Sequence, residues 1–376
     1  MAMVNKVLVI GGGIGGMCSA IQLRKQGVEV DLVEIDPDWR VYGAGITISG
    51  PTLRAFREIG VLDEIMAHGW CADGFKVALP DGTVVAEYTT PRVAGPDVPG
   101  GGGIMRPVLA RILANATRAA GVHVRLGVSF DTIEQDADQV RVAFTDGTHA
   151  SYDLVIGADG VHSKTRQAIF PAAARPSYTG QGCWRAVVPR PEQVTGPMMV
   201  LSKTTKAGLN PVSKDEMYLF VLENQATDDF IAPETWPARL AHVLQGFGGV
   251  VGDIRDNLNA ESRIVYRPLH KLLLPQPWYK GRVLLLGDAV HATTPHLASG
   301  AGIAVEGAIV LAEELQRAAT LPQALEAYVA RRYERCRMVV ENSVRLGQLE
   351  NAGTPEAREE HAKLMTQSMA ALLAPI

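Results

Sequence analysis

The sequence predicts an α/β protein in which a Rossmann-like dinucleotide-binding domain carries an inserted mixed β-sheet domain and ends in C-terminal helices. Three widely separated segments, at residues 7–34, 153–166 and 283–308, each have an apolar strand, a glycine-containing turn and the start of a helix. Short strand-like runs dominate residues 176–262, and the pattern becomes helical from residue 302. Strands alternating with helices indicate a parallel sheet, and the strand-rich interruption indicates a second sheet.

The first segment, VLVIGGGIGGMCSAIQLRKQGVEVDLVE, has the pattern of a βαβ unit with a phosphate-binding turn. Gly11 permits the sharp turn, Gly13 lets the backbone approach a pyrophosphate, and Gly16 lets the helix pack against the strand. The free amides at the start of that helix would face the phosphates. Glu34 ends the second strand, where a carboxylate binds ribose hydroxyls and repels a 2′-phosphate. The segment therefore predicts FAD or NAD rather than NADP, without choosing between the first two.

Composition argues against several other classes of protein. A net charge of −4 without a basic run predicts no nucleic-acid partner. The four cysteines stand apart from one another, which favours reduced thiols over a zinc site or a redox dithiol, so no metal is predicted. No apolar run reaches the length of a membrane helix, and the first strand begins close to Met1. We therefore expect a cytoplasmic protein with no signal peptide and no membrane partner.

The order of elements suggests the domain boundaries. Residues 74–90 alternate apolar and polar positions, which predicts a hairpin, and residues 105–120 carry an apolar stripe at helical spacing. We expect a discontinuous dinucleotide-binding domain at residues 1–71, 101–175 and 263–345, a substrate-binding domain at 72–100 and 176–262, and a C-terminal helix within 346–376.

The second and third segments point to a family. Residues 153–166, DLVIGADGVHSKTR, place an Asp159-Gly160 turn after a strand. Residues 283–308, VLLLGDAVHATTPHLASGAGIAVEGA, follow a strand with Gly287-Asp288, a proline turn and a glycine-started helix. With the three motifs in this order, the chain resembles the single-component FAD-dependent aromatic hydroxylases, the group of p-hydroxybenzoate hydroxylase and the salicylate-hydroxylase-like flavin monooxygenases. The resemblance runs from residue 4 to about 345 and is weakest across 176–262.

The resemblance implies an FAD site assembled from distant parts of the chain. The turn glycines and Glu34 would hold the ADP half, and the backbone of Val128 would meet the adenine. The Asp159-Gly160 pair is tied to the pyrophosphate and to nicotinamide use, and Asp288 to ribityl or ribose hydroxyls. The full predicted set is Gly11, Gly13, Ile14, Gly15, Gly16, Glu34, Arg40, Gly45, Ile46, Arg106, Val128, Asp159, Asp288, Pro295, Gly300, Ala301, Gly302 and Ile303. In this set, Arg106, Pro295 and the backbone of 300–303 would contact the flavin side.

Simpler roles compete with several of these assignments. Asp159 and Asp288 could cap helices, Arg106 could brace a helix end, and Arg40 could be a solvated loop residue. The third motif also departs from the family, reading PHLASGAGIAVEGA where relatives typically read PHQGAGAGQAIEDA. The departures are Leu297, Ala298, Ile303 and Gly307, which replace a polar residue, a glycine, Gln or Asn, and an acidic residue in turn.

The implied reaction is hydroxylation of a small aromatic or heteroaromatic substrate with O2 and NADH or NADPH, the latter a transient co-substrate, through a flavin C4a-hydroperoxide. Attack on a phenol-like ring is easier when its hydroxyl is deprotonated, which calls for a base or a hydrogen-bond relay. The catalytic candidates are His296, Tyr218 and the adjoining Pro295. Tyr218 could instead be a core aromatic residue and His296 a solvent-facing one. Arg185 is a candidate anchor for a substrate carboxylate or an ordinary ion-pair residue.

Other functions remain open on sequence alone. A Rossmann dehydrogenase would explain residues 7–34 but neither later motif. An FAD-dependent reductase or dehydrogenase without oxygen insertion, or a non-catalytic flavin-binding protein, would keep all three. The last helix is a candidate contact for a homodimer.

Overall fold

The computed structural model describes residues 4–41, 43–202 and 205–376. Its strands in chain order are β1 Lys6–Ile10, β2 Glu29–Glu34, β3 Gly45–Ser49, β4 Trp70–Ala72, β5 Phe75–Ala78, β6 Val84–Tyr88, β7 Gly101–Met105, β8 His123–Leu126, β9 Phe130–Gln135, β10 Val140–Phe144, β11 His149–Tyr152, β12 Leu154–Gly157, β13 Ser177–Pro189, β14 Met198–Leu201, β15 Lys206–Pro211, β16 Glu216–Asn224, β17 Arg263–Lys271, β18 Tyr279–Lys280 and β19 Val283–Leu285.

Helices directly follow β1, β12 and β19, and they dominate the chain from residue 288 onward. They are α1 Ile14–Lys25, α2 Gly50–Ile59, α3 Leu62–His68, α4 Arg106–Ala119, α5 Lys164–Ile169, α6 Trp236–Val243, α7 Gly249–Asp256, α8 Asp288–His291, α9 Gly300–Arg317, α10 Leu321–Ala352 and α11 Pro355–Leu373. Single 3-10 turns occur at Pro233–Thr235 and Pro295–Leu297.

The first sheet is the predicted parallel one, with strand order β18-β19-β12-β1-β2-β8. β1 pairs in parallel with β2 on one side and with β12 on the other, and β12 pairs in parallel with β19. The residues from Val7 to Ile10 are all buried, as expected for a strand with both faces covered. Because the chain moves to one side of β1 and later returns to the other, a crevice forms at the carboxyl ends of β1 and β12.

The second sheet is the predicted mixed one, with order β17-β13-β16-β15-β14-β5-β6. The predicted hairpin at 74–90 forms its edge as β5 and β6. Along β16 the side chains alternate: Met217 and Leu219 enter a separate apolar core, whereas Tyr218 and Phe220 face a cavity. The predicted boundary before residue 263 falls ahead of β17, which extends this second sheet by pairing with β13.

From residue 288 onward the chain is mainly helical, and α11 confirms the helix predicted within 346–376. α10 runs without a break across the predicted boundary at residue 345, because its apolar stripe continues to Leu349. A buried carboxylate joins these helices: Glu306 of α9 pairs with Arg332 at 2.9 Å and with Arg335 at 2.7 Å, both on α10. In the described ranges, no helix is both long enough and apolar enough to traverse a bilayer.

Candidate active site

The three motif turns lie side by side at the carboxyl edge of the parallel sheet. The Ala158 amide donates to the Ile10 carbonyl at 2.8 Å, which joins the turn after β12 to the end of β1. The Leu286 amide donates to the Gly157 carbonyl at 2.9 Å, which joins the turn after β19 to β12. The convergence predicted from three distant segments is therefore confirmed, because the strands that precede the turns are neighbours.

The phosphate turn has the geometry that its glycines predict. Gly11 has a φ of +106°, and a Cβ at Gly16 would lie 2.0 Å from the Gly11 carbonyl oxygen, so α1 packs directly on the turn. A Cβ at Gly13 would meet nothing within 4 Å, and Gly13, Ile14 and Gly15 all line the cavity. The first turn of α1 carries no acidic residue and no side-chain cap. Its amides are therefore available to an anion.

The predicted adenosine end lies beside the phosphate turn. The Glu34 carboxylate accepts from the Gly12 amide at 2.7 Å and from the Asp36 amide at 2.9 Å, and the Val128 amide donates to the Glu34 carbonyl at 3.1 Å. Arg40 is not among the residues that line the cavity. Its Nε lies 3.4 Å from Asp36 Oδ1, so a carboxylate of its own loop holds it away from the predicted flavin contact.

The side chain of Asp159 serves the turn, as the capping alternative proposed. Its carboxylate accepts from Ser163 Oγ at 2.5 Å and from the Thr165 amide at 2.9 Å and Oγ1 at 3.0 Å. It thereby organises the entry into α5, whose first turn Ser163 also caps. The backbone at Gly160, with a φ of +79°, lines the cavity. The described structure therefore offers the cavity the backbone of this motif rather than its carboxylate.

A cavity of about 1210 Å³ extends from the phosphate turn to the second sheet. Its charged lining includes Arg106, Arg185 and Asp288, and neither guanidinium has a hydrogen-bond partner within the described ranges. Burial, with the nearby Arg185 charge, lowers the pKa of Arg106. The Asp288 carboxyl is exposed to the cavity but desolvated by the surrounding protein, which raises its pKa while Arg106 opposes the rise. These groups are placed to bind an anionic or hydroxylated ligand.

The amino terminus of α9 closes another part of the cavity. Pro295, Gly300 and Ala301, three of the residues predicted to contact the flavin, line it. A helix leaves the amides of its first turn without intrahelical partners, and its N-terminus carries partial positive charge. The start of α9 therefore adds to the positive potential from the two arginines.

Two residues of α9 predicted to contact the flavin, Gly302 and Ile303, have packing roles in the structure. The Ile303 amide donates to the Ser299 carbonyl at 2.9 Å, and its side chain is buried, so Ile303 belongs to the helix and the core. A Cβ at Gly302 would lie 2.4 Å from Thr52 Oγ1 on α2, so this glycine serves helix packing. Neither residue lines the cavity.

Tyr218 lies at the head of a hydrogen-bond chain on the cavity wall. Its hydroxyl is 2.7 Å from Thr47 Oγ1, which also accepts from Asn210 Nδ2 at 2.7 Å. Within the described residues, the side-chain amide oxygen of Asn210, Oδ1, is buried without a hydrogen-bond partner. Gly45 and Ile46 line the same wall, and a Cβ at Gly45 would lie 2.2 Å from the Tyr218 ring. Tyr218 is therefore a positioned polar group rather than only a core aromatic residue.

His296 also lines the cavity, and the structure excludes the solvent-facing alternative because its side chain is fully buried. Its Nδ1 lies 2.9 Å from Thr294 Oγ1, and its Nε2 lies 3.8 Å from a Glu350 oxygen. Burial lowers the pKa of His296 to about 4, although Glu350 opposes this shift. Burial also disfavours charge on Glu350, but a hydrogen bond from His361 and the charge of Lys206 hold the pKa of Glu350 at about 2.

Sequence reasoning missed Thr47, Asn210, Glu350 and the cavity-lining face of α11. Thr47 follows Gly45 by two positions on β3, so strand alternation alone could have placed both on one face. The others arise from contacts between distant elements, for which the sequence carries no local signal. His291 packs against Trp278 with ring centroids 5.6 Å apart, and burial lowers its pKa to about 3, which suits a structural role.

These features fit FAD. Open space at Gly13, beside the uncapped start of α1, suits a pyrophosphate, and the partnerless Arg106 with the desolvated Asp288 suits polar groups of the flavin half. The described residues contain no cluster of side chains able to hold a metal ion.

Comparisons with known proteins agree with this geometry. A family model described as FAD binding domain matches residues 5–343. The chain is 33% identical over 358 residues to YetM of Bacillus subtilis (strain 168), provisionally named an FAD-dependent monooxygenase, covering 95% of this chain and 96% of YetM. It is 30% identical over 348 residues to the FAD-dependent urate hydroxylase of Klebsiella oxytoca, covering 89% and 88%.

A solved structure gives the same fold. The crystal structure of Klebsiella pneumoniae HpxO complexed with FAD and uric acid superposes with a TM-score of 0.83 at 25% identity, covering 98% of this chain and 95% of HpxO. The family match, the extent of these alignments and the convergent turns agree on one assignment. The chain belongs to the FAD-binding family of single-component aromatic monooxygenases.

Proposed function

We propose that the protein hydroxylates a small aromatic or heteroaromatic compound, using FAD, O2 and NADH or NADPH. The observation that carries this proposal is the cavity itself, which joins the convergent dinucleotide turns to a sheet wall bearing the Tyr218–Thr47–Asn210 chain. When bound, FAD supplies the redox chemistry: it takes electrons from the nicotinamide and activates O2 for transfer of one oxygen atom.

The residues proposed to hold FAD follow the order of the cavity. The turn at Gly13 would bind the pyrophosphate through the amides of α1, with Glu34 at the ribose of the adenosine half. Asp288 would bind hydroxyls of the ribityl chain. Arg106 and the start of α9, at Gly300, would provide the positive potential that an electron-rich flavin requires.

The substrate ring would lie against β15 and β16. Tyr218 is the residue proposed to meet a ring hydroxyl, because it lines the cavity and Thr47, which also lines it, holds the tyrosine hydroxyl at 2.7 Å. Asn210 donates to Thr47 Oγ1, so the Thr47 hydroxyl proton is free to point at the tyrosine oxygen. In that arrangement Tyr218 donates a hydrogen bond to the ring oxygen, and the chain stabilises the deprotonated form of the ring hydroxyl.

The remaining lining would select and isolate the ring. Leu209, Phe220 and Leu222 make this wall apolar, which suits an aromatic ring and keeps water from the reacting atoms. Leu297 adds an apolar surface at the departure from the family pattern. Arg185, which has no hydrogen-bond partner in the described ranges, is a candidate for an anionic substituent.

The curated relatives narrow the choice of test compounds. Besides the urate hydroxylase, they include a 2-heptyl-3-hydroxy-4(1H)-quinolone synthase of Pseudomonas aeruginosa, 32% identical over 313 residues, and a 3-amino-4-hydroxybenzoate 2-monooxygenase of Streptomyces cremeus. Fused heteroaromatic rings and substituted phenols are therefore the first panel. A cytoplasmic location and a homodimer remain predictions.

The test couples NADH or NADPH consumption to product mass over this panel with the FAD-loaded protein. We expect a substrate that accelerates nicotinamide oxidation and gains one oxygen atom, which is labelled when the reaction uses 18O2. Accelerated oxidation without oxygen in any product would favour a reductase. No acceleration by any member, with FAD bound, would favour a non-catalytic flavin protein.

A further inference from the structure

One face of α11, here called the inner face, lines the cavity described above. Its apolar members include Ala362, Met365, Met369 and Leu373, spaced three or four residues apart along the helix. The methionines and Leu373 are only half-buried, and Ala362 is exposed. Apolar side chains that line a cavity and are not covered by another element indicate a surface whose partner is a ligand.

The helix that carries this face is fixed to the rest of the protein. Arg335 donates to the carbonyls of Ala371 and Leu372, at 2.9 and 2.8 Å, and Arg54 donates to the carbonyls of Leu373 and Ala374, at 3.0 and 2.7 Å. Guanidinium groups at the last carbonyls of a helix satisfy its unpaired acceptors and oppose its dipole. α11 is therefore a fixed wall of the cavity.

The same cavity has further apolar lining at the edge of the second sheet. Phe75 and Tyr88 stack with ring centroids 4.9 Å apart, yet 40% of Phe75 and 53% of Tyr88 remain exposed. Met198 and Met199 line the cavity near them on the adjoining strands. Methionine is flexible and polarisable, so a surface rich in it adapts to chains of variable shape.

The position of α11 relates this apolar surface to the reaction site. α11 packs against the Pro295–Leu297 turn and against α2, which itself packs on α9. Among the charged residues of the cavity, Arg185 lies on β13, Arg106 on α4 and Asp288 at the start of α8, whereas Lys206 on β15 pairs with Glu350. FAD requires the unpaired groups among these, whereas the titratable residue that α11 contributes to the cavity, His361, is already hydrogen-bonded to Glu350 at 2.9 Å. The ligand that covers the inner face is therefore apolar and continuous with the substrate site.

We infer that the substrate ring carries an aliphatic chain, and that this chain lies along the inner face of α11. The inference rests on the proposed function for the position of the ring, and it adds the class of substituent. A chain of several methylenes would cover Met365, Met369 and Leu373, and each fully buried methylene would tighten binding about fourfold.

The test measures binding to the FAD-loaded protein, without nicotinamide or turnover, from the change in the visible spectrum of the bound flavin. The probes are two series, 4-alkylphenols and 2-alkyl-4(1H)-quinolones, with chains from methyl to heptyl. We expect affinity to rise twofold to fourfold per methylene in at least one series. Affinities that do not rise with chain length in either series overturn the inference.

Two variants locate the effect on α11. Met369→Gln keeps the length of the side chain but adds a polar amide, and we expect it to weaken the heptyl probe about tenfold while changing the methyl probe less than twofold. Met365→Trp narrows the cavity beside α11, and we expect it likewise to weaken binding of the heptyl probe but not of the methyl probe. Gln367→Met, on the exposed outer face, is the matched control and should change neither probe. Equal losses for methyl and heptyl probes would overturn the assignment to α11.

The outcome separates the two proposals. Chain-dependent binding without any oxygenated product would leave this inference intact and remove the hydroxylase function. Oxygenation of ring substrates, together with probe affinities that do not depend on chain length, would support the hydroxylase function and overturn this inference. Sedimentation of wild type and Met369→Gln checks the competing occupant: a dimer that dissociates in the variant would assign the inner face to a second copy and overturn the inference.

Discussion

Gly13→Ala tests the phosphate turn without disturbing the fold. Position 13 has a φ of −76° and a ψ of 180°, which alanine adopts freely, and a Cβ there would meet nothing within 4 Å. We expect the free energy of unfolding of the apoprotein to change by less than about 1 kcal/mol. The methyl group would nevertheless occupy the approach of the pyrophosphate. Loss of two charge-assisted hydrogen bonds, at about 1.5 kcal/mol or more each, would weaken FAD binding at least about 100-fold.

The assay titrates apoprotein with FAD by flavin fluorescence and follows thermal unfolding of the same samples by circular dichroism. Gly16→Ala is the contrasting variant, since its Cβ would lie 2.0 Å from the Gly11 carbonyl oxygen. We expect it to destabilise the apoprotein itself by about 1–3 kcal/mol, the usual cost of overpacking. Wild-type affinity for FAD in Gly13→Ala would refute the placement of the pyrophosphate at this turn.

Three further changes probe the relay, the helix core and a buried histidine. Tyr218→Phe removes the hydroxyl bound to Thr47 and should lower the single-turnover rate of product formation about 100-fold, with FAD affinity unchanged; an unchanged rate would exclude the relay. Glu306→Gln leaves the buried Arg332 without its counter-charge and should cost about 3 kcal/mol in urea unfolding; a loss below about 1 kcal/mol would contradict this account. The pKa of His296 is about 4 when folded and near 6.5 when unfolded, so the unfolded state binds the proton more tightly. Its contribution is complete above pH 6.5 and is lost as the pH falls through 4, by about 3 kcal/mol. His296→Gln should flatten that part of the stability curve, and an unaltered slope would assign the pH dependence to other groups.

The parts of the fold that could be predicted are those coded by consecutive residues. An apolar run such as Val7–Ile10 can only be a strand buried on both faces, and the glycines after it can only form a tight turn before a helix. Three such units specify neighbouring parallel strands, and so the meeting of their turns follows from topology. That is why Gly13, Asp288 and Gly300 were found at one cavity.

The site features that the sequence did not predict depend on which hydrogen-bond partner each group has in the folded protein. Asp159 follows a buried strand just as Asp288 does, but Ser163 and Thr165 donate to its carboxylate and remove it from the cavity. The Ile303 amide donates to the Ser299 carbonyl in the first hydrogen bond of α9. This bond can be assigned only when the first residue of the helix is known. Glu350 pairs with Lys206, 144 residues earlier in the chain, and the inner face of α11 lines a cavity that includes residues of β1–α1 and β3, so no local pattern predicts either feature.

The guanidinium of Arg335 connects the end of the chain to the cofactor site. The same group holds Glu306 of α9 and the final carbonyls of α11, so α11 and the helix whose start lines the cavity are joined through one guanidinium. Coupling between two sites is reciprocal: if the docking of α11 strengthens cofactor binding, then cofactor binding stabilises docked α11 by the same free energy. The carboxyl terminus is therefore a poor place for a fusion partner, and amide protection of α11 should report whether the enzyme is loaded.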